Sequence, residues 1–186
     1  MIDHAFSGRA LISKGLLRKA KVLANENVRL FSGLISDAIP LVGVEPSTIL
    51  TFRDEYVDLV DLALREQALA IAPHAMMVEE FICREHQRGH IRAESFTPRP
   101  KHLLFHGHCQ QKAWNMQQYS VAALRIPSAF SVQEIPSGCC GMAGSFGYER
   151  EHYSLSMQIG ELVLFPAVRQ KAAEQLVVAP GSSCRH

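Results

Sequence analysis

Two adjacent cysteines, Cys139 and Cys140, lie in a glycine-rich stretch that reads SGCCGMAGSFG over residues 137–147. Glycine occurs at every third position there, so the backbone can adopt positive φ and a bulky group can approach closely. A disulfide between neighbouring cysteines closes a small strained ring, which makes metal or cluster binding the better use of the two thiols. A helical pattern follows the doublet, and the free N–H groups at a helix start favour an anion such as a thiolate-bound cluster.

Strands and helices alternate in the second half of the chain. Apolar runs predict strands, and amphipathic patterns predict helices between them, in the order strand 102–106, helix 112–124, strand 130–135, helix 149–173 and strand 175–179. This alternation predicts an α/β fold with a mostly parallel sheet. Four cysteines follow the three strands closely: Cys109, Cys139, Cys140 and Cys184. Ligands collect beyond the carboxyl ends of parallel strands, so we expect these thiols to converge in three loops.

Four converging thiols allow more than one chemistry. They can complete a tetrahedral zinc site or hold an iron–sulfur cluster, and their spacing does not choose between the two. The alternative without a metal is that they are free thiols that only pack in loops. His106 and His108 flank Cys109 and are further candidate ligands, or hydrogen-bond donors to a ligand, unless they merely cap the following helix. We predict that Cys83, in the middle of a helical pattern, packs in the core.

The first half repeats the layout of the second. We predict one long helix over 9–37, a strand over 39–44 and a helix over 73–88 that ends at Gly89. The spacing from Gly8 to the strand and the loop after it matches the spacing that follows Gly141. The chain is therefore expected to contain two pseudo-repeated βα lobes, residues 1–93 and 94–186, with the first incomplete at its N-terminus.

Composition excludes several classes of protein. The 186 residues carry a formal net charge of +1, which gives no electrostatic reason to bind nucleic acid. No apolar run approaches the roughly 18 residues of a membrane span. Five unevenly spaced cysteines argue against a secreted disulfide framework and favour the reducing cytoplasm, with peripheral association at the inner face of a membrane as a further expectation.

Five segments together resemble a known family, the cysteine-rich CCG domain. They cover nearly the whole chain and read SGRALISKGLLRKA, GVEPSTILTFRDEY, HGHCQQKA, SGCCGMAGSFGYEREHYSLSMQIGELVLFPAVR and APGSSCRH. The domain occurs in iron–sulfur subunits of glycolate oxidase and heterodisulfide reductase. It also forms the C-terminal iron–sulfur part of FAD-linked oxidases of the D-lactate or D-2-hydroxyglutarate dehydrogenase type. This resemblance implies an iron–sulfur cluster of the 4Fe-4S type or another metal, bound by Cys109, Cys139, Cys140 and Cys184.

The chain departs from the family pattern in its first half. Phe6, Ser7 and Thr48 stand where the family has cysteines, so we expect one metal site and not two. The downstream Cys-x-x-Cys of the family is reduced to residues 181–184, GSSC, which removes one possible ligand.

The resemblance implies an electron-transfer module of a flavin-dependent D-2-hydroxyacid dehydrogenase or oxidase. Its FAD would lie in a domain or subunit that this chain does not contain, and its other partner would be an electron acceptor. The chain is therefore not expected to be catalytic alone. The alternative is a zinc-stabilised structural or docking module without a redox role.

Overall fold

A computed structural model describes residues 4–186, so the first three residues of the predicted first repeat lie outside it. The described residues form ten α-helices and five strands, and the strands build two small sheets in which every pairing is parallel. The predicted α/β class is therefore confirmed. The chain divides into two compact units between Val78 and Glu79. The repeat boundary at 93/94 stays a prediction.

The first unit is mostly helical around a two-stranded sheet. Its elements are α1 (Arg9–Ser13), α2 (Leu17–Phe31), β1 (Leu41–Gly43), α3 (Pro46–Thr51), α4 (Glu55–Leu59), α5 (Arg65–Ile71) and β2 (Ala75–Met77). Leu41 pairs with Ala75 and Gly43 with Met77. The apolar face of α2 is buried at Ala20, Ala24 and Val28, as its helical spacing predicts.

Two helix predictions in this half are wrong. The helix predicted over 9–37 is interrupted at Gly15, whose φ of +72° lies outside the helical region, and it ends at Phe31. The helix predicted over 73–88 begins only at Val78 and runs to Gln87 as α6. Residues 75–77 instead pair with β1, because a parallel partner outweighs the weak helical preference of three residues. The predicted end at Gly89 is confirmed to within two residues.

Hydrogen bonds from two buried side chains hold the loop at Phe6 and Ser7. The Tyr56 hydroxyl donates to the Ser7 carbonyl at 2.9 Å, and the Asn27 amide donates to the Phe6 carbonyl at 3.1 Å and to the Tyr56 hydroxyl at 3.0 Å. Tyr56 and Asn27 are almost fully buried. Burial raises the pKa of Tyr56 to about 12, with the Asn27 hydrogen bond acting in the opposite direction. Protein groups therefore fix this loop, which the predicted repeat aligns with the cysteine doublet.

Removing the Tyr56 hydroxyl should destabilise the protein in a pH-dependent way. We expect Tyr56→Phe to lower the free energy of unfolding by about 1–2 kcal/mol at neutral pH, because the Ser7 carbonyl and the Asn27 amide each lose a partner. The raised pKa favours the neutral phenol in the folded state. The neutral Tyr56 phenol therefore stabilises the folded state fully below about pH 10. As the pH rises to about 12, the free energy of unfolding falls by about 2–3 kcal/mol, because the unfolded state loses the phenol proton first.

Urea unfolding of both proteins at about pH 8 and about pH 12 measures this difference. The advantage of the wild type over Tyr56→Phe should disappear or reverse at the higher pH. Tyr153→Phe is the matched control, because Tyr153 is 58% exposed, and its effect should stay within about 0.5 kcal/mol. An equal effect of the two substitutions would contradict the role assigned to Tyr56.

The second unit contains a three-stranded parallel sheet with β3 in the middle. Its elements are α6 (which starts at Val78), β3 (Lys101–Phe105), α7 (Cys109–Ala113), α8 (Gln117–Leu124), β4 (Phe130–Glu134), α9 (Tyr153–Glu161), α10 (Leu164–Gln170) and β5 (Gln175–Val178). The strand order is β4-β3-β5. All three strands predicted from the apolar runs are confirmed to within one residue at each end.

The helices of the second unit are shorter than predicted. The helix predicted over 112–124 is two helices, α7 and α8, separated at Asn115, which has a φ of +51°. Asparagine tolerates this left-handed conformation better than most residues. The helix predicted from 149 begins at Tyr153, so the cysteine doublet does not directly open a helix. In the described part of the chain, every helix is too short or too polar to cross a membrane.

Candidate metal centre

The sheet of the second unit brings the ends of its three strands to one edge. Phe105, the last residue of β3, pairs with both Glu134 of β4 and Val178 of β5. The pairing continues one step further, because the His106 N–H donates to the Val178 carbonyl at 2.9 Å and the Ile135 N–H donates to the Phe105 carbonyl at 2.8 Å. The three loops therefore leave the sheet side by side, as the parallel pattern predicts.

These loops bring together the four cysteines that the sequence singles out. Cys109 is the first residue of α7 and is exposed, Cys139 and Cys184 are partly buried, and Cys140 is 7% exposed. Cys139 hydrogen bonds to both Cys109 and Cys140, and Cys140 hydrogen bonds in turn to Cys184. The sulfur atoms thus form a connected row, of which Cys140 and Cys184 belong to the compact donor group with His106 among the described residues, whereas Cys109 and Cys139 lie outside that group. Their role as metal ligands stays a prediction.

Shared protons separate the acidities of the four thiols. Hydrogen bonds from the Cys109 and Cys140 thiols lower the pKa of Cys139. The pKa values of Cys109 and Cys140 rise, chiefly because each donates its proton to a neighbouring sulfur, and partial desolvation of the two sulfur atoms adds to the rise. Hydrogen bonding from Cys140 lowers the pKa of Cys184 to about 5; burial acts in the opposite direction, and interaction with the rings of His106 and His108 lowers the pKa further. The group therefore favours thiolates at Cys139 and Cys184, the form that binds metals.

Backbone groups in the loop around the doublet point at the sulfur atoms. The Gly141 N–H donates to Cys139 Sγ at 3.3 Å, and the N–H groups of Ala143 and Met142 bond to Cys139 and Cys140, respectively. Gly141 has a φ of +97°, and a Cβ placed on it would lie 2.3 Å from the Ser156 carbonyl oxygen. Only glycine fits this position, so the sequence pattern at Gly141 has a steric cause.

His106 adds an imidazole to the thiols. One of its ring nitrogens and the Sγ atoms of Cys140 and Cys184 all lie within 4.8 Å of one another. The residue is 1% exposed, and its Nδ1 lies 2.7 Å from the Ser137 hydroxyl. Its Nε2 is buried, and no group among the described residues meets hydrogen-bond geometry with it, although the ring interacts with the Cys184 thiol. This buried, unsatisfied nitrogen lies at the edge of the sheet where the thiols meet.

His108 has a different task in the loop before α7. Its side chain accepts a hydrogen bond from the Gln110 N–H at 3.1 Å, while the Gln111 side chain accepts one from the His108 N–H at 3.1 Å. These reciprocal bonds form a capping box at the helix start. A Cβ at Gly181 would lie 2.2 Å from His108 Cδ2, so the loop after β5 packs directly on the ring. His108 therefore orients the turn that carries Cys109.

Apolar side chains cover the inner side of the thiol group. Cys140 packs in a cluster with Leu104, Ile135 and Leu164, and Cys139 and Cys184 lie against the same cluster. Burial among these residues limits the access of water to the sulfur atoms. Cys83 lies outside this group; it is buried, and its thiol donates to the Tyr119 carbonyl at 3.4 Å, consistent with packing.

Two residues of the site were not found by the sequence reasoning. Lys112 donates hydrogen bonds to the carbonyls of Ser137 and Gly138 and so fixes the start of the doublet loop. Burial lowers the pKa of Lys112. Ser137 holds the ring of His106. Both residues lie within the segments that carry the family resemblance, but neither side chain is a metal ligand by type, so their chemistry offers no reason to select them from the sequence.

The residues present fit a thiolate-bound metal centre. Sulfur and imidazole are the donors that zinc and iron–sulfur clusters use. Backbone N–H groups directed at sulfur stabilise thiolates and tune the properties of bound clusters. The unsatisfied nitrogen of His106 would gain a partner in such a centre. The donor set therefore matches the group that the family resemblance implies.

Comparison with known proteins finds relatives along the whole chain. Over 188 residues, the chain is 28% identical to D-2-hydroxyglutarate dehydrogenase of Pantoea ananatis, with 100% of this chain and 17% of the relative covered. It is 25% identical over 179 residues to the C subunit of anaerobic glycerol-3-phosphate dehydrogenase of Escherichia coli K12, with 96% and 43% covered. D-2-hydroxyglutarate dehydrogenase of Haemophilus influenzae is 26% identical over 186 residues, with 96% and 17% covered. These relatives are dehydrogenases.

The relatives show that the chain is similar to dehydrogenases, but they do not identify its domain family. No family model matches the chain, and no solved structure matches it significantly. The expected relation to D-2-hydroxyglutarate dehydrogenases is confirmed at the level of similarity, whereas the assignment to the CCG domain stays a prediction. The chain spans between about a sixth and less than half of the length of these relatives.

Proposed function

We propose that this chain is an iron–sulfur electron-transfer module of a flavin-dependent D-2-hydroxyacid dehydrogenase or oxidase. The observation that carries the proposal is the meeting of Cys109, Cys139, Cys140 and Cys184 at one sheet edge. The similarity to dehydrogenases supports a redox role for these thiols. A bound cluster of the 4Fe-4S type would supply one-electron transfer.

The chain's own residues would bind and shield such a cluster. Thiolates at Cys139 and Cys184 are available for ligation, and the apolar cluster at Cys140 limits contact with water. The N–H of Gly141 donates to sulfur, which stabilises negative charge and contributes to the reduction potential. Lys112 fixes the doublet loop by its bonds to backbone carbonyls, so the loop geometry is set before a metal binds.

Substrate oxidation would take place in another part of the protein or in another subunit. Relatives named D-2-hydroxyglutarate dehydrogenase are about six times as long as the stretch this chain matches, which leaves room for a flavin domain elsewhere. The proposed partners are therefore a flavin-binding domain or subunit and an electron acceptor. The thiols of the site are expected to work in a reducing compartment.

A zinc-stabilised structural or docking module is the second candidate. One observation favours it: His106, Cys140 and Cys184 form a compact group of mixed nitrogen and sulfur donors. A tetrahedral zinc site of cysteines with one histidine is a common structural site. Zinc has no redox chemistry, so in this case the chain would stabilise an assembly and transfer no electrons.

Metal analysis after anaerobic purification separates the two candidates. We expect iron and acid-labile sulfide in near-stoichiometric amounts, because the thiols would hold a cluster in the absence of oxygen. Removing the metal with a chelator should lower the free energy of unfolding, since ligation stabilises the folded state. Stoichiometric zinc without sulfide would replace the cluster by the structural site. A chain that binds neither metal after anaerobic reconstitution would contradict both candidates.

A further inference from the structure

We infer that His106 is itself a ligand of the centre, bound through Nε2, and that Ser137 is the positioning residue that fixes its tautomer. The inference rests on the proposed function, because it requires the thiols to hold a metal. It extends the donor set from sulfur alone to sulfur and one imidazole nitrogen, and it separates the two histidines that flank Cys109.

The position of His106 in the fold holds its ring beside the thiols. The residue follows β3 directly, and its N–H donates to the Val178 carbonyl at 2.9 Å, which extends the β3–β5 pairing. A ring nitrogen lies within 4.8 Å of the Sγ atoms of Cys140 and Cys184. With 1% exposure, the side chain cannot turn outward without breaking the surrounding packing.

Ser137 lies where it can hold the tautomer of His106 that binds a metal through Nε2. Ser137 Oγ lies 2.7 Å from His106 Nδ1 and 3.5 Å from the Ile135 carbonyl oxygen. At 2.7 Å, Ser137 Oγ is placed to accept from Nδ1–H, the arrangement that a metal bond at Nε2 requires. A neutral imidazole carries one proton, which leaves a lone pair on Nε2. This is the form in which histidine binds metals, held by a hydrogen bond at its other nitrogen.

The environment of the buried His106 Nε2 is the observation that points to a metal bond at this atom. Buried polar atoms nearly always have a hydrogen-bond partner. Nε2 of His106 is buried, and within the described part of the chain no group meets hydrogen-bond geometry with it, although the ring lies close enough to Cys184 to lower the pKa of that thiol. A bond to a metal shared with Cys140 and Cys184 would satisfy this nitrogen.

His108 does not meet the same conditions. Its Nδ1 accepts the Gln110 N–H as part of the capping box, and its ring packs against Gly181. A side chain committed to the start of α7 orients Cys109 and does not need a metal. The two histidines can therefore be told apart by experiment.

X-ray absorption at the metal edge tests the inference on the full chain, purified anaerobically. In the wild type we expect one nitrogen ligand per centre, which appears as one nitrogen scatterer at about 2.0–2.1 Å beside the sulfur shell in a sample reconstituted with zinc alone. In His106→Cys, sulfur should replace that nitrogen with the metal retained. A shell of sulfur only in the wild type would overturn the inference and leave the thiol site standing. A chain without metal would overturn the proposed function and this inference with it.

Variants at Ser137, His102 and His108 complete the test. Ser137→Ala should weaken metal affinity about 10- to 100-fold while the nitrogen scatterer remains, because only the orientation of the ring is lost. His102→Asn is the matched control, because His102 is an exposed histidine whose Nδ1 bonds to the Ser131 hydroxyl and takes no part in the site, and this variant should bind as much metal as the wild type. Retention of the nitrogen scatterer in His106→Ala together with its loss in His108→Asn would reverse the assignment. The wild-type spectrum decides the question even if a variant fails to fold.

Discussion

Gly141→Ala is expected to lower the free energy of unfolding by about 3 kcal/mol or more. Two costs add at this position. A residue with a side chain is strained at a φ of +97°, which costs about 1 kcal/mol or more. Its Cβ would also lie 2.3 Å from the Ser156 carbonyl oxygen, and overpacking against backbone costs about 1–3 kcal/mol. A backbone shift that relieves this contact also moves the Gly141 N–H, which donates to Cys139 Sγ, so the variant should bind less metal.

Gly138→Ala is the matched control for this prediction. Gly138 lies in the same loop and is exposed, and no described atom lies within 4 Å of a Cβ built on it. Alanine there should leave the free energy of unfolding unchanged or raise it by up to about 1 kcal/mol, because it restricts the unfolded chain. Urea unfolding followed by circular dichroism measures both variants. Equal losses of stability would show that the loop is sensitive everywhere and not at the close contact with Ser156.

Cys140→Ser should abolish most metal binding, with a loss of at least about tenfold in bound metal per chain. Cys140 lies at the centre of the group, since it hydrogen bonds to both Cys139 and Cys184. It is also the most buried of the four thiols. Serine keeps nearly the same shape but is a poor ligand for zinc or iron–sulfur clusters, so the substitution removes the sulfur without opening a cavity.

Cys83→Ser provides the comparison within the same unit. Its thiol is similarly buried but donates to the Tyr119 carbonyl, a bond that a serine hydroxyl can also make. We expect full metal content and a change in the free energy of unfolding within about 1 kcal/mol. Iron, sulfide and zinc are measured in both variants after identical anaerobic purification. If Cys140→Ser retained the wild-type metal content, the proposed site would be wrong.

The strands of the second unit could be predicted from sequence because their signals are local. Apolar runs such as HLLFH are bounded by polar or turn residues, and the observed β3, β4 and β5 lie within one residue of the prediction. The convergence of the cysteines followed from the parallel alternation. Both inferences need only the order of elements along the chain.

The features that could not be predicted from the sequence depend on contacts between residues distant along the chain or on single backbone dihedral angles. β2 is a strand because it pairs with β1, and nothing within residues 75–77 indicates that partner. The breaks at Gly15 and Asn115 come from left-handed residues within otherwise helical patterns. Ser137 acquires its role only because the β4 loop folds back beside His106. A sequence pattern contains none of these distances.

The strand order of the second unit has a consequence for the timing of synthesis. β3 is the central strand, yet it leaves the ribosome before both of its neighbours. Its partner β5 follows about 70 residues later, a separation typical of slow, non-local folding. Cys184 lies beyond β5. A nascent chain therefore displays Cys109 as an open thiol for about 75 residues of synthesis, and Cys140 for about 44, before Cys184 is made, so the proposed centre can be completed only after β5 has emerged.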